Sequence, residues 1–225
     1  MGVSARTAPR RRSADYHDYV FRDGKLIGDF EGMYRHADGA PWEQDVRSRQ
    51  WHAAVGLAML KEQAPYGAIL EIGCGLGFIA AQVGEEMGGP GAVVEAFDVS
   101  ATAVRRARRL HSGVMFYTDD IMRKGFRPRR TYDLVILRDV LWYVCQRMPV
   151  IVDHIGRCVK PGGLLYVAQS FPALAKPFVG KRVIPNPQRL VRWFSGYRPV
   201  STALLRNHDL AQDGPIVHFL GRRAG

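Results

Sequence analysis

Cysteine is scarce in this sequence, and long apolar runs are missing altogether. The three cysteines, Cys74, Cys145 and Cys158, are odd in number and lack the C-x-x-C spacing of a zinc site, so neither a disulfide framework nor a metal centre is expected. We interpret them as reduced thiols in the protein interior. No stretch approaches the roughly 20 apolar residues of a membrane helix, which argues against a protein that spans a membrane.

An apolar segment is also missing after the arginines of the first dozen residues, so the N-terminus does not resemble a secretory signal. The cytoplasm is therefore the expected location. Residues 1–15 are predicted to form a mobile basic tail without chemistry. Residues 16–66 are interpreted as an N-terminal cap and helix, and residues 67–225 as the main domain with an insertion at about 171–197.

Charge is the one unusual bulk property, because 32 lysines and arginines against 21 acids give a net charge of +11. Such an excess favours phosphate-bearing or acidic partners. The arginines are dispersed, however, and no aromatic residues are interleaved with them as in single-strand binders. We interpret the excess as a mainly solvated surface, with an acidic ligand as the alternative.

Short apolar runs alternate with helical patterns and predict a doubly wound α/β fold with a mostly parallel, seven-stranded sheet and an N-terminal helical cap. The predicted strands are 68–72, 92–97, 114–117, 132–137, 164–168, 200–206 and 215–220. The predicted helices are 46–63, 78–87, 101–110, 150–158 and 187–194, and a turn is expected at 160–163. No helix separates the last two strands, so they should form an antiparallel hairpin at one sheet edge.

A glycine-rich loop, Glu71-Ile72-Gly73-Cys74-Gly75-Leu76-Gly77, ends the first of these strands and opens a helix. Glycine allows positive φ and lets a ligand approach the backbone closely. The dehydrogenase fingerprint is G-x-G-x-x-G, whereas this loop reads G-x-G-x-G. The loop resembles the first motif of the class I S-adenosylmethionine-dependent methyltransferases.

The resemblance continues through four further segments in the same order. Asp98 follows the second strand, Asp120 the third, residues 132–141 resemble the fourth-strand motif, and residues 159–165 the turn before the fifth strand. The resemblance implies S-adenosylmethionine as cofactor and S-adenosylhomocysteine as product, with Asp98 at the ribose and Asp120 at the adenine. Further cofactor contacts are expected from Glu71, Gly73, Cys74, Gly75, Gly77, Val99, Ile121 and Arg138. For Glu71, hydrogen bonding to loop amides is an open alternative.

The sequence signals for residues that contact the methyl acceptor are less specific than those for the cofactor. Asp139 and Tyr143 are candidate catalytic residues, because they follow the fourth strand where this family often exposes residues to the acceptor. Their alternative role is that of a helix N-terminal acid and a packing aromatic. Residues that could cover the substrate are Tyr34, His36, Trp42, Trp51 and Trp142, which could equally form a hydrophobic core of the cap.

The Asp/Asn-Pro-Pro-Tyr/Phe signature of many DNA and protein-glutamine methyltransferases is absent, since Leu137-Arg138-Asp139-Val140 stands in its place. This argues against a nucleic-acid partner. Residues 28–51 resemble small-molecule methyltransferases that modify nodulation factors and sugars. The leading hypothesis is methyl transfer to a nitrogen or oxygen of a small polar acceptor, a sugar or natural product, and a basic site would favour a phosphorylated or nucleotide-linked one. The alternatives are an RNA or protein methyltransferase and a non-catalytic cofactor-binding scaffold.

Overall fold

A computed structural model describes residues 15–45, 51–174, 177–206 and 213–225. The predicted tail, apart from Asp15, lies outside the described residues, as does the first part of the helix predicted at 46–63.

Nine strands and eight helices make up the described chain. The strands are β1 Phe21–Arg22, β2 Lys25–Leu26, β3 Tyr66–Ile72, β4 Gly88–Asp98, β5 Met115–Thr118, β6 Tyr132–Arg138, β7 Val159–Pro172, β8 Tyr197–Leu205 and β9 Asp213–Arg223. The helices are α1 His17–Val20, α2 Phe30–His36, α3 Trp51–Lys61, α4 Phe78–Met87, α5 Ala101–Leu110, α6 Leu141–Val144, α7 Met148–Cys158 and α8 Pro187–Trp193.

Seven strands form the central sheet in the order β5-β4-β3-β6-β7-β9-β8. Neighbours from β5 to β7 are parallel, while β9 pairs antiparallel with both β7 and β8. The predicted doubly wound, Rossmann-like fold and its closing antiparallel hairpin are confirmed. Strand order reverses between β3 and β6, and the carboxyl ends of strands at such a reversal form a ligand crevice.

Apolar side chains cover both faces of this sheet, as the continuous hydrophobic runs of its parallel strands require. In β6, Val135 and Leu137 pack with α7 and α8 on one face. Leu134 and Ile136, one residue out of phase, pack with α3, α4 and α5 on the other. The strands are thereby held rigidly, and so are the residues at their carboxyl ends.

The turn predicted at 160–163 needs correction, because β7 includes these residues. Tyr132 of β6 pairs with Val159, and Leu134 pairs with Leu164, so several residues of β7 lie opposite Asp133 alone. Gly162, with a φ of 73°, allows the chain to bulge out and return to the ladder. The residues at 160–163 thus change the direction of the chain, but they do so within β7 and not before it.

Residues 16–45, called the cap here, lie beside the carboxyl ends of the strands. Val20, Met33 and Tyr34 of the cap pack with Leu76 and Ala103 of the main domain in a small apolar core. Arg106 of α5 adds hydrogen bonds to two cap carbonyls, those of Tyr34 and Gly39. These contacts hold the cap against the sheet.

The three cysteines are buried and unpaired, as predicted. Among the helices that the structure describes, none has the length and apolarity to cross a membrane.

Candidate active site

A cavity of about 730 Å³ lies between the cap and the carboxyl ends of the central strands. Its volume falls within the range of small-molecule sites. Most residues singled out from the sequence line it, namely Tyr34, Trp42, Glu71, Gly73, Cys74, Asp98, Val99, Asp120, Ile121, Arg138, Asp139, Trp142 and Tyr143. The fold thus brings together side chains that are up to 109 positions apart between Tyr34 and Tyr143.

The glycine loop is shaped to lie against β4. Gly73 has a φ of 71°, and its N–H donates to the carbonyl of Phe97 at 2.8 Å. A Cβ at Gly73 would come 2.5 Å from a methyl group of Val140, so no larger residue fits. Gly75 and Gly77 do not line the cavity themselves. Their positive φ angles shape the loop on the side away from the cavity.

Asp98 connects this loop to the end of β4. Its two carboxylate oxygens each accept one backbone hydrogen bond at 2.9 Å, from Gly75 and from Ser100. Burial raises the pKa of Asp98 above its ordinary value, and the two N–H donors oppose that shift. Each carboxylate oxygen can accept a second hydrogen bond, so Asp98 can bind the loop and a ligand hydroxyl together.

Glu71 is buried beneath the loop, where Oε2 accepts a 2.9 Å hydrogen bond from the N–H of Ala80. Burial raises the pKa of Glu71 to about 7, despite that N–H and the charge of Arg138. Glu71 therefore bonds to an amide in the first turn of α4 and not to the loop amides considered from the sequence, and it also lines the cavity.

The two neighbouring acids after β5 separate in space. Asp120 lines the cavity, and its Oδ1 accepts from the N–H of Met122 at 2.8 Å. Asp119 turns away and forms an ion pair with Arg123 at 3.0 Å. Only Asp120 is therefore placed to contact a bound molecule.

Asp139 stands where β6 ends, in an unusual backbone conformation with a φ of 54°. Its Oδ1 accepts from the N–H of Ser170 at 2.7 Å and from Nε2 of Gln169 at 3.2 Å. Its Oδ2 lies 4.0 Å from Nε of Arg138, and 41% of the side chain is exposed. Strained residues with φ above zero cluster at functional sites, and this one directs a carboxylate to the cavity.

Aromatic rings form the wall beside Asp139. The ring of Tyr143 lies 4.9 Å from that of Phe30 and 6.1 Å from that of Trp42, both in the cap. Trp142 is fixed by a hydrogen bond from Nε1 to the carbonyl of Ser170 at 2.8 Å. Phe30, Trp42 and Tyr143 pack together, and all four aromatic residues line the cavity, so a role at the substrate stays a prediction.

Gln44 is a cap residue whose role the sequence did not reveal. Its Oε1 accepts from the N–H of Leu76 at 2.9 Å, and its Nε2 donates to the hydroxyl of Tyr34 at 3.3 Å. The cap is thereby hydrogen-bonded to the glycine loop itself. The only sequence signal was its place within residues 28–51, two residues after Trp42.

Two predicted substrate residues lie away from the cavity. His36 stacks on Tyr19 of the cap, with ring centroids 5.8 Å apart. Trp51 is 46% exposed on the outside of α3. The next residue, His52, lines the cavity instead, because successive helix positions are about 100° apart.

The charge of the cavity is opposite to that of the whole protein. Among the described residues that line it, five carry carboxyl groups and one carries a guanidinium group: Glu43, Glu71, Asp98, Asp120 and Asp139, against Arg138. The described part of the cavity lining therefore does not supply the basic site considered from the composition. No group of three potential metal ligands occurs within the described ranges.

A family model described as a methyltransferase domain matches residues 44–223. The chain belongs to this family. The methyltransferase identified from the glycine loop is thus confirmed as an enzyme of class I, with S-adenosylmethionine as its methyl donor.

Solved structures share the fold of this methyltransferase. N-methyltransferase NodS from Bradyrhizobium japonicum WM9, in complex with S-adenosyl-l-homocysteine, matches with a TM-score of 0.67 and 19% identity, over 84% of this chain and 94% of that chain. A complex of the Haloferax volcanii Trm112 methyltransferase activator and a putative methyltransferase matches with a TM-score of 0.62 and 17% identity, over 81% and 93%. The [4+2]-cyclase SpnF matches with a TM-score of 0.58 and 16% identity, over 77% and 81%. Among the curated proteins, no sequence matches this methyltransferase.

The residues present fit the cofactor. Gly73 lines the cavity without a side chain, and Asp98 and Asp120 supply acceptors at two successive strand ends. Such acceptors suit the hydroxyl and amino groups of an adenosine. Glu71 and Arg138 line the same cavity from the ends of β3 and β6. The cavity can therefore hold an extended adenosine derivative along the strand ends.

Proposed function

We propose that this methyltransferase transfers a methyl group to a nitrogen or oxygen of a small polar acceptor, such as a sugar or natural product, and that an amine nitrogen is the favoured atom. The observation that carries the proposal is a cavity covered by the aromatic residues of the cap, in which the charged groups of the described lining are mainly carboxyl groups. Carboxylates favour cationic or hydrogen-bond-donating groups over phosphates. The similarity in fold to an N-methyltransferase supports the same reading.

The chain's own residues have few chemical tasks in this reaction. When bound, the cofactor supplies a methyl group already activated on a sulfonium. Asp98 and Asp120 hold the adenosine part, and Gly73 and Gly75 shape the loop that supports it. Position and desolvation then determine the rate of an in-line displacement.

Asp139 acts on the acceptor. An amine must be neutral to react, and the carboxylate oxygen Oδ2 can accept its hydrogen bond and its proton. The nitrogen would take up the methyl group that the bound cofactor supplies, with S-adenosylhomocysteine as the leaving group, and Oδ2 of Asp139 would accept the proton that this nitrogen gives up. The rings of Phe30, Trp42 and Tyr143 exclude water beside this carboxylate.

The other two hypotheses make different demands on the structure. An RNA methyltransferase needs a basic channel to the reacting atoms, and the carboxyl groups of the cavity do not provide it. A non-catalytic role is not excluded by fold, as the similarity to a cyclase illustrates. Turnover distinguishes that role from the proposed function.

The test is titration calorimetry with S-adenosylmethionine and S-adenosylhomocysteine, followed by measurement of S-adenosylhomocysteine release with amines, alcohols, amino sugars and bulk RNA. We expect both cofactor forms to bind and release to be fastest with small amines. Salt-sensitive turnover on RNA alone would contradict the proposal and favour the runner-up. Binding without turnover on any acceptor class would favour the scaffold.

A further inference from the structure

His52, in the first turn of α3, lines the cavity beside Arg138. Nε2 of His52 lies 3.3 Å from Nη2 of Arg138. A guanidinium group only donates hydrogen bonds, so Nε2 of His52 must be the acceptor. The ring proton is then on Nδ1. His52 presents an N–H donor here and not a basic nitrogen.

Arg138 orients two side chains at once. Its Nη2 donates to His52, and its Nε lies 4.0 Å from Oδ2 of Asp139. The planar guanidinium has its donors in a rigid fork, so the positions of both neighbours are coupled through it. Burial, followed by the positive charge of Arg138, lowers the pKa of His52 and keeps its ring neutral. A neutral donor and a carboxylate acceptor therefore lie on either side of one cation.

Within the described residues the only side-chain hydrogen bond of His52 is that of Nε2 to Arg138, and the ring is half-buried in the cavity wall. Its N–H is available to a bound molecule. His52 and Asp139 are placed around the same guanidinium group. A substrate oxygen that accepts a hydrogen bond from Nδ1 of His52 would therefore lie close to the substrate amine bound by Asp139.

We propose that His52 is a specificity-determining residue, whose Nδ1–H donates to an oxygen of the acceptor while Asp139 receives the N–H of its amine. The substrate class is then a small amine that carries a hydroxyl, ether or carbonyl oxygen close to the reacting nitrogen. This inference rests on the proposed function, because it requires an amine in the cavity. The inference adds His52 to Asp139 as a second residue that recognises the methyl acceptor.

The test uses pairs of amines that differ by one oxygen: 2-aminoethanol with propylamine, and 2-aminocyclohexanol with cyclohexylamine. Release of S-adenosylhomocysteine is measured for each. We expect kcat/KM to be about tenfold or more higher for the oxygen-bearing member, since one well-made hydrogen bond is worth about that factor. The variant His52→Leu, whose side chain has a similar size but no N–H donor, should lower kcat/KM for the oxygen-bearing member of each pair more than for its partner, so that the preference is lost.

Two further variants separate recognition from folding. Asn can place an amide N–H close to the position of Nδ1, so His52→Asn should restore much of the preference. His36→Ala removes a cap histidine outside the cavity and should leave both preference and turnover unchanged. Calorimetry with S-adenosylhomocysteine shows whether each variant is folded. Histidine ring ¹⁵N shifts, assigned by comparison with His52→Asn, should show the Nδ1–H tautomer for His52.

The outcomes are distinct. A preference that persists in His52→Leu, or an Nε2–H tautomer, would contradict the role of His52. If none of the four amines is methylated while S-adenosylhomocysteine binds normally, the acceptor class is wrong and the family assignment stands. If the folded protein binds neither form of the cofactor, the proposed function is wrong and the inference with it.

Discussion

Glu31 of the cap accepts a hydrogen bond from Thr102 of α5, with 2.6 Å between Oε1 and Oγ1. Its other oxygen, Oε2, accepts from Oγ of Ser100 at 2.7 Å and from the N–H of Thr102 at 3.0 Å. One carboxylate of the cap thus binds the N-terminus of α5, immediately after Asp98. Negative charge is stabilised at a helix N-terminus, which adds to these hydrogen bonds. Glu31 therefore holds the cap over the cofactor side of the cavity.

This contact predicts a pH dependence of stability. Burial alone would raise the pKa of Glu31, but the hydrogen bonds from Thr102 and Ser100 outweigh it and lower the pKa to about 2. Because the folded pKa lies below the ordinary 4.5, the stabilisation is complete above about pH 5 and is lost as the pH falls toward 2.

The variant Glu31→Gln should lower the free energy of unfolding at pH 7 by about 1–2 kcal/mol, a reduced value for a partly exposed carboxylate. The difference from the native protein should shrink between pH 4.5 and pH 3 in thermal or urea unfolding. Glu85→Gln, at an exposed position of α4, is the control. An equal difference at pH 7 and pH 3 would show that the charge of Glu31 is not what stabilises the cap.

Gly73→Ala tests the shape of the glycine loop. At a φ of 71° an L-residue costs about 1–2 kcal/mol, and the added Cβ would meet Val140. We expect a lower free energy of unfolding and at least tenfold weaker binding of S-adenosylhomocysteine in calorimetry. Gly91→Ala is the matched control, since it has the same φ at a strand bulge with nothing within 4 Å. Equal effects on binding in the two variants would argue against a role for Gly73 in the ligand site.

Asp98→Asn tests the cofactor contact at the end of β4. The amide keeps the shape of the side chain but replaces one acceptor oxygen by a donor. Loss of a charge-assisted hydrogen bond costs about 1.5–3 kcal/mol, so the Kd for S-adenosylmethionine should rise by about 10- to 100-fold. Asp119→Asn, at the neighbouring acid that pairs with Arg123 and does not line the cavity, should leave the Kd unchanged. An unaltered Kd in Asp98→Asn would remove the ribose assignment.

Asp139→Asn tests proton transfer on the acceptor side. A positioned base contributes typically about 10²–10⁴ to the rate, so kcat with an amine acceptor should fall by that factor while the Kd for S-adenosylmethionine stays the same. Asp153→Asn, in an exposed pair with Arg157 on α7, is the control. If kcat is retained in Asp139→Asn, solvent receives the proton and Asp139 only positions the amine.

The cofactor side of the site could be predicted from the sequence because it depends on local chain order. A loop with glycines at 73, 75 and 77 between a strand and a helix has few possible shapes, and an acid at the next strand end reaches the same edge of the sheet. Gly73, Asp98 and Asp120 indeed line one cavity or border it. Sequence position alone does not separate neighbouring residues in this way: Asp119 and Asp120 are adjacent, and only Asp120 lines the cavity.

The acceptor side could not be predicted in the same way, since it is assembled from elements with no fixed spacing. His36 and Trp51 looked suitable by residue type, yet only the packing of α2 and α3 places them outside. Gln44 and His52 reach the cavity through contacts with Leu76 and Arg138, far away in the chain.

What the sequence determined by itself is the α/β order of elements, the family and the edge of the sheet that binds the cofactor. The reason is that hydrophobic periodicity and glycine spacing act over a few residues. The tertiary structure alone decided the excess of carboxyl groups among the described residues of the cavity lining, despite a net charge of +11, and the placement of His52 and Asp139 around Arg138. Charge and hydrogen bonding depend on which side chains meet, and that is settled only when the cap and α3 pack against the sheet.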